Sequence, residues 1–370
     1  MSAPSPAASL TRTGPVTVKL RRRNLWYFAG CDYHGLAWEP RVIEAAAKAA
    51  ERFGLGVGAS RRTTGNHPLY AELEESLCEF FSTPASLVVS SGYLTNLCVA
   101  QALAGEIDAV YMDEKAHSSL ADASLHFGAK RIVSFRHGSV EHLVGLIGSK
   151  DPKERGIVLT DGMAAHDGSL APLRDYRRAI PKSWWLLVDD AHGAGTIGPN
   201  GQGSLAHHRV SFQRTIQTLT LSKAFGAGGG AINGPAKLIH RIRSQSRAFI
   251  GSTPPPLAMA AAALESAKLL RANTDYIARL ASNSATVRSA VRQAGWCPGP
   301  ETGQIIAWQP TTFGTRDELE KAFQSARVHM PWIQYPGGTE GGYLRLAVSS
   351  AHPQESLEAV CSVIRGSADL

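Results

Sequence analysis

Short hydrophobic runs alternate with longer amphipathic stretches between Leu69 and Asn233. Seven runs have the length and aliphatic composition of buried strands, at Ser86–Val89, Ala109–Met112, Arg131–Ser134, Gly156–Thr160, Trp184–Val188, Ile216–Leu221 and Gly229–Asn233. Helical stretches lie between them, at Leu69–Phe81, Thr95–Ala104, Ser118–Phe127, Val140–Ile147 and Leu173–Ala179. Because buried parallel strands are continuous apolar runs joined by helical crossovers, this alternation predicts an α/β fold with a mostly parallel seven-stranded sheet.

The pattern changes after Pro254, Pro255 and Pro256. Two long helices are predicted there, followed by two strand–helix pairs, at Leu257–Arg271, Asp275–Ala294, Gly303–Trp308, Arg316–Ala326, Tyr343–Val348 and Gln354–Ile364. A chain of 370 residues exceeds the size at which one hydrophobic core usually stops growing. We therefore expect an N-terminal arm and first helix in residues 1–50, a large domain in 51–256 and a smaller α+β domain in 257–370.

The composition favours a soluble protein of a reducing compartment. Hydrophobic residues make up 44% of the chain, but no apolar run is long enough to span a membrane. Residues Met1–Pro15 are rich in Ser, Pro and Ala and lack the apolar segment of a signal peptide, so we expect a loose arm and a cytoplasmic protein. The five cysteines show no C-x-x-C spacing, and we predict neither a disulfide framework nor a metal site.

The net positive charge of the chain indicates which kinds of partner it can bind. A net charge of +7 and an isoelectric point near 9.2 could indicate binding to nucleic acid. However, the one cluster of basic residues, Lys19–Arg23, is not followed by a nucleic-acid-binding motif. We therefore expect no nucleic acid and instead acidic small molecules, such as a phosphate-bearing cofactor or a phosphate-rich acyl carrier.

Polar side chains follow five of the predicted strands. They are Ser91 with Gly92 and Tyr93, then His117, Asp161, Asp189 with His192, and Lys223. Each has an ordinary structural explanation when taken singly, such as a βα turn at Ser91, a loop histidine at His117 or a capping aspartate at Asp161. Because the carboxyl ends of parallel strands meet at one edge of a sheet, the whole set predicts a ligand site there.

Lys223, Asp189 and His192 indicate the chemistry of this site. Lys223 ends a predicted strand among small residues, and Asp189 and His192 end another. A lysine can form a Schiff base with the aldehyde of pyridoxal 5'-phosphate (PLP), and an aspartate can keep the pyridine nitrogen of that cofactor protonated. The free backbone N–H groups of the helix that begins after Ser91 can bind its phosphate. The sequence therefore predicts a PLP enzyme.

Motifs found in one family of PLP enzymes occur here in the same order, from about Asn24 to the C-terminus. They are Asp32-Tyr33-x-Gly35-Leu36, Gly56-Val57-Gly58-Ala59-Ser60-Arg61, Gly65-Asn66-His67-Pro68-Leu69, Ser91-Gly92-Tyr93-x-x-Asn96, Asp161-Gly162, Asp167-Gly168 with Ala171-Pro172-Leu173, the segments 188–195 and 220–226, Ser252-Thr253 and Leu344-Arg345-Leu346. In these motifs the chain resembles the α-oxoamine synthases, which include 8-amino-7-oxononanoate synthase, 2-amino-3-ketobutyrate CoA ligase, 5-aminolevulinate synthase and serine palmitoyltransferase. The resemblance implies an aspartate-aminotransferase-like large domain of fold type I.

The resemblance also implies a role for each matching residue around the PLP ring. Lys223 would be the Schiff-base lysine and would carry the α-proton of the substrate. Asp189 would pair with the pyridine nitrogen, His192 would donate a hydrogen bond to the phenolic oxygen, and His117 would stack on the ring. We expect Asp161, at the neighbouring strand end, to complete this part of the cofactor-binding set.

The remaining matches concern the phosphate, the substrate and a second subunit. Ser91, Gly92, Tyr93 and Thr220 would surround the phosphate. Thr253 would reach the phosphate of the partner subunit, which implies a homodimer with a shared active site. Arg345 would bind the carboxylate of the amino acid, since its planar guanidinium matches two carboxylate oxygens.

Two departures from the family pattern concern substrate recognition. Cys31 stands where relatives usually have an asparagine that helps to bind the substrate carboxylate. Ala164-Ala165-His166 stands where Phe-Ser-Met is common, so a hydroxyl near the cofactor is missing. These positions predict a change in specificity for the amino acid or the acyl group, and they leave the cofactor-binding residues intact.

The reaction that the resemblance implies is a decarboxylative Claisen condensation of an amino acid with an acyl thioester, on CoA or an acyl carrier protein, giving an α-amino ketone. Two alternatives on the same fold are an aminotransferase and a retro-aldol lyase acting on a β-hydroxy amino acid. A binding or regulatory domain without catalysis is a third alternative. It would require a damaged lysine site or a fused DNA-binding module, and the sequence contains neither.

Overall fold

Three strands within residues 11–20 and 23–26 form a small antiparallel sheet, and the prediction of a loose arm up to Pro15 is wrong for this part of the chain. The computed structural model describes residues 9–20, 22–148, 153–309, 316–333 and 342–366, so the first eight residues of the predicted arm lie outside it. The strands are β1 (Thr11–Gly14), β2 (Thr17–Leu20) and β3 (Arg23–Trp26). Val16, Val18 and Leu25 are buried. Trp26 forms a parallel bridge with Val328, which attaches the segment to the C-terminal part of the protein.

Two helices precede the central sheet, α1 (Pro40–Phe53) and α2 (Pro68–Phe81). The central strands are β4 (Ala85–Val89), β5 (Ala109–Asp113), β6 (Arg131–Phe135), β7 (Gly156–Asp161), β8 (Trp185–Asp189), β9 (Thr215–Thr220) and β10 (Gly230–Gly234). They form one sheet in the order β4-β10-β9-β8-β7-β5-β6. Strand β10 runs opposite to the other six strands of this sheet, which all run in one direction, so the predicted mostly parallel seven-stranded sheet is confirmed.

Helices pack on both faces of this sheet. In chain order they are α3 (Gly92–Ala102), α4 (Ser118–Ser124), α5 (Val140–Gly148), α6 (Leu173–Ala179), α7 (Ser204–His207), α8 (Ala236–Gln245) and α9 (Arg247–Gly251). Strand β8 shows the two-sided burial, because Leu187 packs in the cluster that contains Leu238 of α8, and Leu186 packs with Tyr176 of α6. Successive strand residues point to opposite faces, which explains why the buried strands are apolar throughout.

The C-terminal part contains the smaller α+β unit. In chain order, the elements after the central sheet are α10 (Leu257–Ala272), α11 (Asp275–Gln293), β11 (Ile305–Trp308), α12 (Arg316–Ser325), β12 (Trp332–Ile333), β13 (Tyr343–Ala347) and α13 (Gln354–Gly366), and those from α11 onward form the smaller unit. The three strands pair antiparallel in the order β11-β13-β12. Val291 of α11, Leu346 of β13 and Val360 of α13 share its core. Helix α10 packs instead on α1 and α2 of the large unit.

Within the described ranges, the structure contains no helix that combines the length and the apolar character needed to cross a membrane.

Candidate active site

A cavity of about 240 Å³ opens where β7, β8 and β9 end at the carboxyl edge of the sheet. Nine of the twelve predicted site residues line it, namely Ser91, Gly92, Tyr93, His117, Asp161, Asp189, His192, Thr220 and Lys223. The structure therefore brings together side chains that are up to 132 positions apart, from Ser91 to Lys223. This convergence follows from the parallel strand order, since the ends of neighbouring strands meet at one edge.

Lys223 follows β9 and extends its amine toward His192. The distance from Lys223 Nζ to His192 Nε2 is 2.9 Å. Burial lowers the pKa of Lys223, although Cys31 and Asp189 act in the opposite direction. Burial also lowers the pKa of His192, and the neighbouring charge of Lys223 adds to that effect. The lowered pKa of Lys223 favours its neutral amine, which is the form that attacks an aldehyde, and the lowered pKa of His192 favours a neutral imidazole.

The adjacent residues Asp189 and Asp190 have different surroundings. Asp189 lines the cavity, and its Oδ2 accepts hydrogen bonds from Asn96 Nδ2 at 2.7 Å and from Ser119 Oγ at 3.3 Å. Asp190 is fully buried, and its Oδ2 accepts from the backbone N–H of Ser204 at 2.8 Å. Burial raises the pKa of Asp190 to about 7. Asp189 is therefore the carboxylate that a ligand in the cavity can contact.

Asp161 lies beside Asp189 because β7 and β8 pair with these two residues in register. Burial raises the pKa of Asp161 well above its ordinary value, and the charge of Asp189 adds to the increase. The Oδ2 atom of Asp161 accepts a hydrogen bond from the backbone N–H of His117 at 3.1 Å. Both effects favour the protonated form of Asp161 beside the carboxylate of Asp189.

Helix α3 begins at the cavity and presents the unpaired N–H groups of its first turn. Ser91 caps the helix by accepting a hydrogen bond from the backbone N–H of Leu94 at 3.4 Å. Gly92 approaches Thr220 so closely that a Cβ atom on residue 92 would lie 2.6 Å from Thr220 Cβ. A helix N-terminus favours anions, so this corner of the cavity suits a phosphate.

His117 and Tyr93 form the side of the cavity next to this corner. His117 caps α4 with its Nδ1 atom, which accepts a hydrogen bond from the backbone N–H of Ser119 at 3.2 Å. The ring of Tyr93 meets the ring of His117 edge to face at a centroid distance of 6.1 Å, and its hydroxyl donates to Asp122. These contacts fix the position of the imidazole that the sequence predicts to stack on the cofactor.

Three predicted site residues do not line this cavity. Arg345 lies in β13, is 8% exposed, and donates a hydrogen bond from Nε to the carbonyl of Ala165 at 2.6 Å. Because Ala165 lines the cavity, this bond places the guanidinium behind its rim. Cys31 is half-buried and close enough to Lys223 to influence the pKa of its amine. Thr253 is exposed and borders a separate small cavity beside Arg61.

Four further residues contribute to the site and had no predicted role. They are Tyr33, Asn96, Ser119 and Ser222. The hydroxyl of Tyr33 lies 2.6 Å from His192 Nδ1, and Asn96 connects Asp189 to Thr218. Tyr33, Asn96 and Ser222 belong to motifs already recognised in the sequence, which could have indicated them. Ser119 has no such signal, because its importance depends on which groups surround it in space.

Comparisons with known proteins identify the family. The chain matches the aminotransferase class I and II family over residues 28–364. The 8-amino-7-oxononanoate synthase of Thioalkalivibrio sulfidiphilus is 36% identical over 358 residues, which cover 94% of this chain and 90% of the relative. The chain belongs to the α-oxoamine synthase family. The α-oxoamine synthase relative from Geobacter sulfurreducens, also an 8-amino-7-oxononanoate synthase, is 35% identical over 344 residues, with 90% of this chain and 86% of the relative covered.

A solved structure confirms the fold predicted for this α-oxoamine synthase. The serine palmitoyltransferase of S. paucimobilis with bound PLP–myriocin aldimine superimposes with a TM-score of 0.89 at 26% identity. The match covers 98% of this chain and 92% of the other. The large unit is therefore of fold type I, as the sequence resemblance implies.

PLP is the cofactor of this family, and the cavity fits it in three respects. Lys223 presents a buried amine of lowered pKa for the aldehyde. Asp189 presents a hydrogen-bonded carboxylate suited to a protonated pyridine nitrogen. The start of α3, next to Thr220, presents backbone N–H groups for the phosphate. All three groups border the same cavity, so one PLP molecule can contact all of them.

Proposed function

We propose that this chain catalyses the decarboxylative condensation of an amino acid with an acyl thioester, carried by CoA or an acyl carrier protein, to give an α-amino ketone. The observation that carries the proposal is the placement of Lys223, Asp189 and His192 around one cavity, with Arg345 held behind its rim. Membership of the α-oxoamine synthase family supports this reaction class.

PLP, when bound, supplies an electron sink that stabilises negative charge at the α-carbon of the amino acid. Lys223 is the proton acceptor for that carbon, because its amine lines the cavity and burial lowers its pKa, which favours the unprotonated form. His192 positions the amine through the contact between its Nε2 and Lys223 Nζ. Asp189 contributes the negative charge that favours a protonated pyridine nitrogen, and Asn96 and Ser119 orient its carboxylate.

The remaining residues orient the substrates. His117 supplies a flat ring surface at the side of the cavity, fixed by its contacts with Ser119 and Asp161. Arg345 binds the carboxylate of the amino acid, and Cys31 occupies the neighbouring position close to Lys223. Holding the carboxylate in one orientation decides which bond to the α-carbon is broken, which is a positioning effect.

We further propose a homodimer with a shared active site. Thr253 is exposed and lies outside the cavity of its own subunit, which supports a role at the phosphate of the partner. Among the described residues, four of the eight large hydrophobic residues that are exposed fall between Trp38 and Leu55. A concentration of apolar side chains at the surface is typical of an interface.

The dimer is tested by replacing Leu55, which is 80% exposed, with aspartate. We expect sedimentation analysis to show a dimer for the unaltered protein and a weakened dimer with reduced activity for Leu55→Asp. Val144→Asp, a second exposed apolar position on α5, is the matched control and should remain dimeric. A monomeric unaltered protein with full activity at low concentration would contradict the proposal.

We also propose a cytoplasmic location. The odd number of cysteines and the lack of C-x-x-C spacing in the sequence support a reducing environment. Cell fractionation with an antibody to the native protein tests this location.

The reaction is tested by mixing the purified protein with PLP and single amino acids, with and without acyl thioesters. We expect free thiol and CO₂ to be released in equal amounts and only when both substrates are present. A keto acid or an aldehyde formed without any thioester would instead indicate the aminotransferase or the retro-aldol lyase.

A further inference from the structure

We propose that His137, His166 and Asp167 form a binding site for one divalent transition-metal ion, with Zn²⁺ as the ion that suits them best. Each residue offers one ligand atom, and these atoms all lie within 4.8 Å of one another. The three residues lie outside the lining of the PLP cavity, although His166 directly follows the lining residue Ala165.

The donor set matches the preference of zinc. Two imidazole nitrogens and one carboxylate oxygen are typical zinc ligands, with bond lengths of about 2.0–2.2 Å. Around a tetrahedral ion such donors lie about 3.3 Å apart. His166 Nε2 and Asp167 Oδ2 are already 3.3 Å apart, and the rings of His137 and His166 are 5.4 Å apart between centroids. Small side-chain rotations would therefore complete the site, with a fourth position left for water.

Hydrogen bonds already orient two of the three ligands. His137 Nδ1 lies 2.9 Å from Oδ1 of the buried Asp113, which leaves Nε2 as the nitrogen that can bind an ion. Asp167 Oδ1 accepts hydrogen bonds from the backbone N–H of Ser169 at 2.9 Å and from its hydroxyl at 2.7 Å, which leaves Oδ2 available. A carboxylate behind a histidine ligand is a recurrent feature of zinc sites, because it fixes the ring and increases the basicity of the other nitrogen.

One atom of the cluster has no hydrogen bond in the structure. His166 Nε2 is shielded from solvent and makes no hydrogen bond, although the carboxylate oxygen Asp167 Oδ2 lies 3.3 Å away. Buried polar atoms without partners are uncommon in folded proteins, and coordination to an ion would satisfy this one. The ion would replace one existing contact, the 2.8 Å contact between His137 Nε2 and Ser169 Oγ.

The surrounding charge also favours a cation. Asp113 and Glu114 accept hydrogen bonds from His137, and Asp167 adds a third carboxylate. The proton on His137 competes with the ion, because the hydrogen bond to Asp113 raises the pKa of His137. Binding is therefore best measured at about pH 8, where most imidazoles are neutral.

A bound ion would have a consequence for the active site. His166 and Asp167 follow Ala165, whose carbonyl accepts the hydrogen bond from Arg345 Nε. Fixing residues 166 and 167 would therefore fix the partner of the arginine and lower the KM for the amino acid. This consequence rests on the proposed function, whereas the metal site itself does not.

The test uses the PLP-loaded protein after removal of metal with a chelator. Zn²⁺ is titrated against a chromophoric competitor, and Co²⁺ is used in parallel because its visible spectrum reports the coordination. We expect one Zn²⁺ per chain, with His166→Gln and Asp167→Asn each weakening the affinity roughly tenfold or more. His207→Gln is the matched control, since His207 pairs with the ring of His208, is not one of the three proposed ligands and should not affect binding.

His137→Gln is a less suitable variant, because loss of its contacts with Asp113 and Ser169 affects the fold. The His166→Gln variant avoids this problem, and its melting temperature verifies that it folds. Failure to bind one equivalent of Zn²⁺, or unchanged affinity in folded His166→Gln and Asp167→Asn, overturns the proposal. Because the measurement is metal binding, a failure of the proposed condensation would leave this result interpretable.

Discussion

The amine of Lys223 lies 2.9 Å from His192 Nε2, and the other ring nitrogen of His192 lies 2.6 Å from the hydroxyl of Tyr33. Tyr33 is fully buried, so its hydroxyl fixes the orientation of the imidazole from the side opposite to the lysine. The three residues come from a loop after β3, the loop after β8 and the loop after β9. Tyr33 thus positions His192, and His192 in turn positions Lys223.

Tyr33→Phe tests this relationship. We expect kcat to fall roughly tenfold with little change in KM, because His192 loses a buried hydrogen bond worth about 1–1.5 kcal/mol but no substrate contact is removed. Steady-state kinetics with the true substrates provides the measurement. Tyr176→Phe is the matched control, since Tyr176 is equally buried and its hydroxyl has no hydrogen-bond partner among the described residues. Equal effects of both variants on kcat would indicate a general packing effect.

Lys223→Ala should abolish covalent attachment of the cofactor. We expect the unaltered protein to be yellow and to retain PLP covalently after borohydride reduction, since only a Schiff base is fixed in this way. The variant should lose activity by at least roughly 10²–10⁴-fold, the contribution of a positioned proton acceptor. Lys237→Ala, at an exposed position of α8, should behave like the unaltered protein. Peptide mapping of the reduced protein checks the attachment, and a reducible adduct in Lys223→Ala would refute the assignment.

The sequence predicted the central sheet closely because its strands are buried on both faces. Their apolar runs are continuous, and the observed ends differ from the predicted ones by one residue or none. Strands β1 to β3 were missed because one face of each is polar, as in Thr-Arg-Thr-Gly of β1. Strand β12 has only two residues, too few to produce a pattern.

The positions of the strands also explain which site residues could be predicted. Residues that follow strands could be predicted, because the sheet itself brings strand ends together. Ser119 and the cluster of His137, His166 and Asp167 could not, since their neighbours come from separate loops and no spacing in the sequence reports the contact. The roles of Thr253 and Arg345 in binding remain predictions from the family resemblance.

Asp189→Asn and Arg345→Ala should affect different kinetic constants. Asp189 stabilises charge that develops as the α-proton leaves, so its replacement should lower kcat on the order of 10²–10³-fold while PLP is retained. Arg345 binds a carboxylate that is already charged in the ground state, so its loss should raise KM roughly ten- to hundredfold. Kinetics of both variants with the same amino acid separates the two effects. An unchanged KM in Arg345→Ala would mean that the carboxylate is bound by another group.

His34 should make the stability depend on pH in mildly acidic solution. It is 3% exposed, and burial lowers its pKa from 6.5 to about 4. Between these two values the unfolded chain binds a proton that the folded chain does not, so the free energy of unfolding rises as the pH increases from about 4 to 6.5. His34→Gln removes this contribution and should reduce the slope by up to about 1.4 kcal/mol per pH unit.

The measurement is urea unfolding of both proteins at equal concentration across this pH range, since association also affects stability. Glutamine can still donate to the carbonyl of Gly195, which His34 Nε2 contacts at 2.6 Å. Comparing the two slopes cancels the contribution of other buried histidines, such as His352, whose pKa burial lowers to about 3. If the free energy of unfolding changed with pH by the same amount in both proteins, His34 would not take up a proton on unfolding.

Gly92→Ala should weaken PLP binding without unfolding the protein. A Cβ atom at residue 92 would lie 2.6 Å from Thr220 Cβ and 2.9 Å from Thr220 Oγ1, closer than carbon atoms approach in folded proteins. Helix α3 would therefore have to move away from the end of β9, and both contribute to the corner that suits the phosphate. Overpacking of this kind costs about 1–3 kcal/mol, which corresponds to a roughly 5- to 150-fold higher Kd if the cost falls on the bound state.

Gly145→Ala is the matched control for this prediction, because Gly145 lies in α5 and a Cβ atom there would have no neighbour within 4 Å. Alanine is favoured over glycine within a helix by roughly 0.5–1 kcal/mol, so this variant should be equally or more stable and should bind PLP normally. Equilibrium titration of the cofactor-free proteins with PLP gives both dissociation constants. If Gly92→Ala bound PLP as tightly as Gly145→Ala, the contact between α3 and Thr220 would not define the phosphate corner, and the helix N-terminus would have to be rejected as the phosphate site.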